Sequence, residues 1–177
     1  MDAGFDRSEP GQMLAVMGPS GSGKTSLLNV LSAKLFGKYT GEVFINGQIA
    51  DKQLIKRVVG FVPQEDILFG SQTVREALQF YADLKLPTTH TQQEKSEMID
   101  YILEELGLKK VEHSLIGYVG ADAATSQLPR GLSGGERKRL SIGCQLISNP
   151  SLLFLDEPTT GLDSYASESV VQTLSKL

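Results

Sequence analysis

The chain has 177 residues, of which 40% are hydrophobic and 21% are charged, and this composition is typical of one globular domain. Its formal net charge of −4 disfavours a nucleic-acid-binding protein, which would carry a basic face, so no nucleic-acid partner is expected. The single cysteine, Cys144, excludes an internal disulfide. No apolar run approaches the roughly 18–20 residues that a membrane helix needs.

The first third of the chain alternates between strand and helix patterns. The apolar run at 13–17 predicts a strand buried on both faces, and leucines spaced over 27–35 predict a helix. Residues 42–45 predict a strand, and the pair 46–47, Asn-Gly, predicts a type I′ hairpin turn after it. A second β-rich run covers 58–62. This part of the chain therefore predicts an α/β unit.

The remainder of the chain predicts mainly helices. Its expected elements are helices over 74–84 and 92–106, a loop over 117–129, a helix from Ser133 with Gly143 and Cys144 inward, a strand over 152–155 and a last helix bearing Val170 and Leu174. The order indicates an α/β core with a helical insertion between about Thr73 and Ile147.

A phosphate-binding loop lies between the first predicted strand and helix. The motif GPSGSGKT matches the P-loop pattern in the strand-to-helix context that the pattern requires. Its glycines let backbone N–H groups converge on phosphates, Lys24 reaches the terminal phosphates, and the Thr25 hydroxyl is a ligand for Mg²⁺. The predicted nucleotide-binding residues are Gly18, Pro19, Ser20, Gly21, Ser22, Gly23, Lys24, Thr25 and Ser26.

Two carboxylates follow the apolar strand at 152–155. Asp156 is expected to approach Mg²⁺, and Glu157 to act as general base on an attacking water. Gln64 follows another β run. An isolated glutamine there is usually a loop residue, so its proposed role as Mg²⁺ ligand and γ-phosphate sensor depends on the other motifs.

A second glycine-rich turn opens a helix. Ser133 and Glu136 predict a capping box, and the N–H groups of Ser133, Gly134 and Gly135 could also bind a phosphate. Because one nucleotide needs one cradle, a second such turn indicates a site shared between two copies. The cations at 137–139 predict either a solvated basic face, which we favour, or an addition to the anion-binding field.

These motifs together resemble an ATP-binding cassette (ABC) ATPase. The P-loop, a Q-loop at Gln64, the signature LSGGE at 132–136, the Walker B strand and the D-loop GLDS at 161–164 occur in that family's order. The sequence around these motifs, including GFVPQED, TVREAL and DEPTTGLDS, is similar to that of the G (white/eye-pigment) subfamily.

The resemblance implies a P-loop NTPase (RecA-like) core with a helical subdomain inserted between Q-loop and signature motif. The implied division is one ABC domain over 1–177, with its core at 11–72 and 148–177 and the helical subdomain at about 73–147. ATP and Mg²⁺ are the implied cofactors. The implied partner is a second such domain, arranged head to tail, whose signature residues complete the site in trans.

In the G subfamily this domain precedes a transmembrane domain on the same polypeptide. The implied activity is ATP hydrolysis at the cytoplasmic face of a membrane, powering export of lipids, sterols, pigments or xenobiotics. Two parts of the family pattern are missing. No adenine-stacking aromatic is assigned, since Phe5 is a poor candidate, and the switch histidine should follow one more strand. We therefore expect a fragment, truncated at both ends, whose sheet has a gap between 13–17 and 152–155 and which is inactive alone.

Two other classes carry the same motifs. Non-transport ABC ATPases of translation or DNA repair usually have tandem cassettes or long coiled-coil insertions, and this chain shows neither. Non-catalytic cassettes usually lose the glutamate or blur the signature, whereas Glu157 and the signature are intact here. An ATPase domain of an exporter is therefore the favoured interpretation, and a non-transport ABC ATPase is the alternative.

Overall fold

The computed structural model describes residues 9–34, 40–117 and 131–177. Within these ranges the α-helices and strands are, in chain order, α1 (Lys24–Leu31), β1 (Phe44–Ile45), β2 (Gln48–Ile49), α2 (Lys52–Val58), β3 (Val59–Val62), α3 (Val74–Lys85), α4 (Gln92–Glu105), α5 (Gly134–Leu146), β4 (Leu152–Leu155) and α6 (Ser164–Leu174). A 3₁₀ helix, Lys109–Val111, follows α4. The predicted class, an α/β core with inserted helices, is confirmed.

Strands β3 and β4 form a parallel pair that determines where the site lies. Val59 is opposite Leu152, and the register continues to Val62 opposite Leu155. A Cβ at Gly60 would lie 2.9 Å from the Leu153 side chain and 3.1 Å from Pro150, so a larger residue here would have to displace these side chains. Because the strands are parallel, their carboxyl ends meet at one edge, and the residues that follow each strand become neighbours there.

The short hairpin β1–β2 is antiparallel. Its two turn residues, Asn46 and Gly47, have φ values of 52° and 77°, as a type I′ turn requires. The predicted turn is confirmed, although β1 covers only the last two residues of the predicted strand.

Helices α3, α4 and α5 enclose most of the hydrophobic core. Capping boxes start α3 at Thr73 with Glu76, and α4 at Thr91 with Glu94. These reciprocal bonds satisfy free N–H groups in the first turn and explain why both predicted helices begin where expected. The fully buried aliphatic side chains include Val74, Leu78, Ile99, Leu103, Leu106, Leu140, Ile142 and Ile147.

Leu140 provides a test of this core. Leu140→Ala is expected to lower the free energy of unfolding by about 2–5 kcal/mol, because a fully buried leucine would leave a cavity between helices. Chemical denaturation measures the change. Leu84→Ala is the control, since this side chain is 68% exposed and its loss should change the free energy by about 0.5 kcal/mol or less. Equal losses for the two variants would contradict the core described above.

The strand predicted at 13–17 is wrong. These residues belong to no strand, and Met13, Leu14, Val16 and Met17 are between 44% and 88% exposed. An isolated extended segment has no partner for its backbone N–H and C=O groups. Among the described residues, the parallel sheet consists of β3 and β4 alone, and it offers 13–17 no neighbouring strand.

Helix α2 was not predicted. It is short, and the β-rich run follows it directly, so its apolar residues could not be separated from those of the strand. The Asp51 side chain caps it by accepting a hydrogen bond from the Leu54 N–H. Helix α1 ends at Leu31, earlier than the leucine pattern predicted. The predictions for Phe5, for the end of the leucine stripe at Leu35 and for most of the loop at 117–129 lie outside the described residues.

Candidate functional site

The P-loop connects residues 13–17 to α1. Gly21 and Gly23 have φ values of 78° and 96°, a region that L side chains rarely adopt, so the turn requires these two glycines. The Lys24 ammonium group donates to the carbonyl oxygens of Gly18 and Pro19, each at 3.1 Å. The half-buried lysine thus folds back over its own loop, and the only hydrogen bonds of its ammonium group in the described part of the chain are to loop carbonyls that an anion could replace.

Helix α1 brings the loop to the end of β4. The Thr25 hydroxyl donates to Asp156 Oδ1 at 3.0 Å, although the two residues are 131 positions apart in the sequence. Asp156 is buried, and its backbone N–H donates to the Val62 carbonyl, extending the strand pairing by one residue. A hydroxyl and a carboxylate oxygen therefore lie side by side at the first turn of α1.

Gln64 and Glu157 meet at the same edge of the sheet. The Gln64 amide Nε2 donates to Glu157 Oε2 at 3.1 Å, and the Thr160 hydroxyl donates to that oxygen at 3.0 Å. Glu157 has a φ of 46°, which is unusual for a residue with a side chain. The carboxylate is thus held by two donors on an uncommon backbone conformation. The role of Thr160 was not predicted, although its position in the turn three residues after Glu157 could have indicated it.

The signature turn is built as a helix cap. The Ser133 hydroxyl and the Glu136 carboxylate form the predicted capping box, which is confirmed. A Cβ at Gly134 would lie 2.9 Å from Leu162, and a Cβ at Gly135 would lie 3.2 Å from the Ala166 Cβ. The two glycines therefore allow the turn to pack against the start of α6. In the described part of the chain, no hydrogen bond joins this turn to the P-loop.

The cations at 137–139 do not form a solvated basic face, and the favoured interpretation was wrong. The Arg137 guanidinium donates to the carbonyl oxygens of Ile116 and Gly117, and its burial lowers the pKa of the group. Lys138 is buried beside Asp66, and Arg139 donates to the Ser169 hydroxyl at 3.1 Å. Each cation therefore has its own partner within the protein, because three consecutive helical positions point in three directions.

A cleft of about 400 Å³ lies between the Q-loop, the signature turn and the D-loop. Its lining includes Gln64, Asp66, Gly134, Lys138, Thr160 and Leu162. P-loop residues do not line it. The cleft is therefore next to the Gln64–Glu157 pair and separate from the phosphate-binding loop.

Burial raises the pKa of the Cys144 thiol to about 12, so this cysteine is packed core, as predicted, and no nucleophile. Within the described ranges, no cluster of three or more His, Cys, Asp or Glu side chains is arranged to hold a metal ion. None of the helices in the same ranges is both long enough and apolar enough to cross a membrane.

Comparison with known proteins identifies the family. The sequence model of the ABC transporter family matches residues 7–160. ABC transporter G family member 22 of Dictyostelium discoideum is 48% identical, and the match covers 95% of this chain and 27% of that protein. The broad substrate specificity ATP-binding cassette transporter ABCG2 of Mus musculus is 49% identical over 92% of this chain and 24% of its own length. The chain thus spans about a quarter of the length of these curated relatives.

A solved structure supports the fold. The dimeric, post-hydrolysis structure of the ATP-binding cassette MJ0796 bound to ADP and Pi matches with a TM-score of 0.70 and 28% identity, covering 96% of this chain and 70% of that one. The sequence match and the structural match agree with the P-loop, the helical insertion and the motif order. The chain belongs to the ABC transporter family, as an ATP-binding ATPase domain whose relatives include members of the G subfamily.

Proposed function

We propose that this domain binds ATP with Mg²⁺ and hydrolyses it as one half of a head-to-tail pair, and that the full-length protein uses this cycle for export across a membrane. The observation that carries the proposal is the convergence of four residues at one sheet edge. Thr25 contacts Asp156 at 3.0 Å, and Gln64 contacts Glu157 at 3.1 Å.

The donor atoms at this edge suit magnesium. Hydroxyl, carboxylate and amide oxygens from Thr25, Asp156 and Gln64 are hard oxygen ligands, and Mg²⁺ usually takes few of these besides substrate phosphates. When bound, the ion would neutralise charge on the β- and γ-phosphates. Lys24 would exchange its two loop carbonyls for phosphate oxygens, which are stronger partners because they are charged.

Glu157 is the proposed general base. Its Oε2 already accepts from Gln64 and Thr160, which fixes the carboxylate, while Oε1 has no hydrogen bond in the described part of the chain. The fixed carboxylate can orient a water and accept its proton as the water attacks the γ-phosphate. Gln64, which is bonded to the same carboxylate, would sense whether the γ-phosphate is present.

The signature turn is proposed to complete the site of a second copy. Ser133, Gly134 and Gly135 at the start of α5 would cap ATP held by the partner's P-loop, using free N–H groups at a helix N-terminus. Contacts made to ATP and lost with ADP would then drive opening and closing. We assign the core to 11–72 and 148–177 and the helical subdomain to about 73–147.

A membrane domain on the same polypeptide is the proposed partner outside the pair. The relatives are about four times longer than this chain, which spans 27% and 24% of two of them. An apolar surface of Ile67, Phe69, Phe80 and Leu84 lies exposed after the Q-loop and on α3, with the two phenylalanine rings 5.9 Å apart. Such surfaces mark contacts with partners. We propose that it docks the membrane domain and holds this domain at the cytoplasmic face.

The test uses the full-length protein in inside-out lipid vesicles. ATP with Mg²⁺ should yield phosphate, chelation of Mg²⁺ should stop its release, and at least one of four probes (a lipid, a sterol, a pigment or a xenobiotic) should accumulate in the vesicles. Phosphate release without uptake of any probe would contradict the exporter and favour a non-transport ABC ATPase. No phosphate release would contradict the proposed chemistry.

A further inference from the structure

Lys138 is a buried, charged residue that makes no hydrogen bond to the P-loop in the described part of the chain. Only 4% of its side chain is exposed, and its partner Asp66 is 11% exposed. Burying an ion pair has a large desolvation cost, and an apolar side chain of similar size usually fills such a position without that cost. Packing alone therefore does not explain a lysine here.

The contacts of Lys138 indicate what its charge does. Its Nζ donates to the main-chain carbonyl of Gln64 at 2.9 Å and lies 3.4 Å from that of Pro63, and it pairs with Asp66 Oδ1 at 2.7 Å. All three partners lie at 63–66, the segment around Gln64 that directly follows β3 and is called the Q-loop here. The ammonium group therefore fixes the backbone from which the Gln64 side chain extends to Glu157.

The other end of the same helix turn carries the signature. Lys138 lies five residues after Ser133 and four after Gly134 on α5, so the signature turn and the ammonium group move as one rigid unit. Arg139, the next residue, contacts Ser169 on α6 and makes no contact with the Q-loop within the described ranges. Lys138 is thus the member of the cation triplet that joins α5 to the Q-loop.

We propose that Lys138 is a positioning residue that ties Gln64 to the signature turn of its own subunit. The inference rests on the proposed function. The γ-phosphate sensed by Gln64 in one site is then mechanically connected, through Lys138, to the turn that caps the nucleotide of the other site. This link makes hydrolysis at the two sites of the pair interdependent.

A double-mutant cycle on the full-length polypeptide tests the proposal. Lys138→Met nearly keeps the length of the side chain and removes its hydrogen-bond donor. It should lower kcat for ATP hydrolysis about tenfold, the effect expected when a residue that orients a metal ligand is lost. The KM for ATP should stay unchanged, because the P-loop is intact. In a Gln64→Ala background, Lys138→Met should have no further effect on kcat, since Lys138 acts through Gln64.

Arg139→Met is the matched control, because it removes a cation from the same helix and should leave kcat unchanged. If Lys138→Met lowers kcat by the same factor with Gln64 and with alanine at that position, the role is purely structural and the proposal is overturned. If Lys138→Met does not fold, Asp66→Asn is taken through the same cycle, where a non-additive result supports the proposal and an additive one overturns it. Absence of ATP hydrolysis in the unsubstituted protein would instead overturn the proposed function, and this inference with it.

Discussion

A Glu157→Gln variant of the full-length protein should bind ATP as tightly as the unsubstituted protein and hydrolyse it about 10²- to 10⁴-fold more slowly. The amide has nearly the shape of the carboxylate and can still accept from Gln64 or Thr160 through its oxygen. It cannot take a proton from water. The site should therefore stay assembled while the chemical step stops.

Phosphate release at saturating ATP and equilibrium binding of radiolabelled ATP measure the two halves of this expectation. Glu168→Gln is the control, because this carboxylate lies on α6 and accepts a hydrogen bond from Gln172 of the same helix. Turnover by Glu157→Gln at the rate of the control would show that another group accepts the proton.

The second large effect is expected on binding. Lys24→Met should weaken ATP affinity about 10- to 100-fold, since hydrogen bonds to charged groups contribute about 1.5–3 kcal/mol each. The fold should not change, because within the described ranges the Lys24 ammonium group donates only to the carbonyls of its own loop, Gly18 and Pro19.

Titration calorimetry with ATP measures the affinity, and thermal unfolding measures the stability. Lys52→Met provides the comparison, as it removes an exposed lysine from the start of α2, outside the P-loop. The assignment fails if both variants lose affinity equally, because the loss would then reflect net charge, or if Lys24→Met binds ATP normally.

The local parts of the fold and site could be predicted from the sequence. Caps and turns depend on residues within four positions of one another, so the Asn46-Gly47 turn and the capping boxes at Thr73, Thr91 and Ser133 follow from short motifs. The position of the two carboxylates at the end of β4 could likewise be predicted, because an apolar run is followed directly by polar residues there.

Features that depend on distant partners could not be predicted in this way. Residues 13–17 have the composition of a buried strand, but a strand exists only beside another, and the described sheet provides none there. In the sequence, Lys138 looks like one of three surface cations. Only the packing of β3 and the Q-loop against α5 shows that it is buried. In both cases the conformation or burial of the residues depends on the elements packed against them and not on the local sequence.

The left-handed backbone at Glu157 has a consequence for how this position could evolve. Its φ of 46° disfavours most residues by about 1 kcal/mol, whereas glycine and asparagine adopt this conformation more readily. Selection for thermal stability alone would therefore replace this glutamate. Its retention requires a continuing demand for turnover, so a lineage that lost that demand should drift to glycine or asparagine at this position early and become more heat-resistant as it did so.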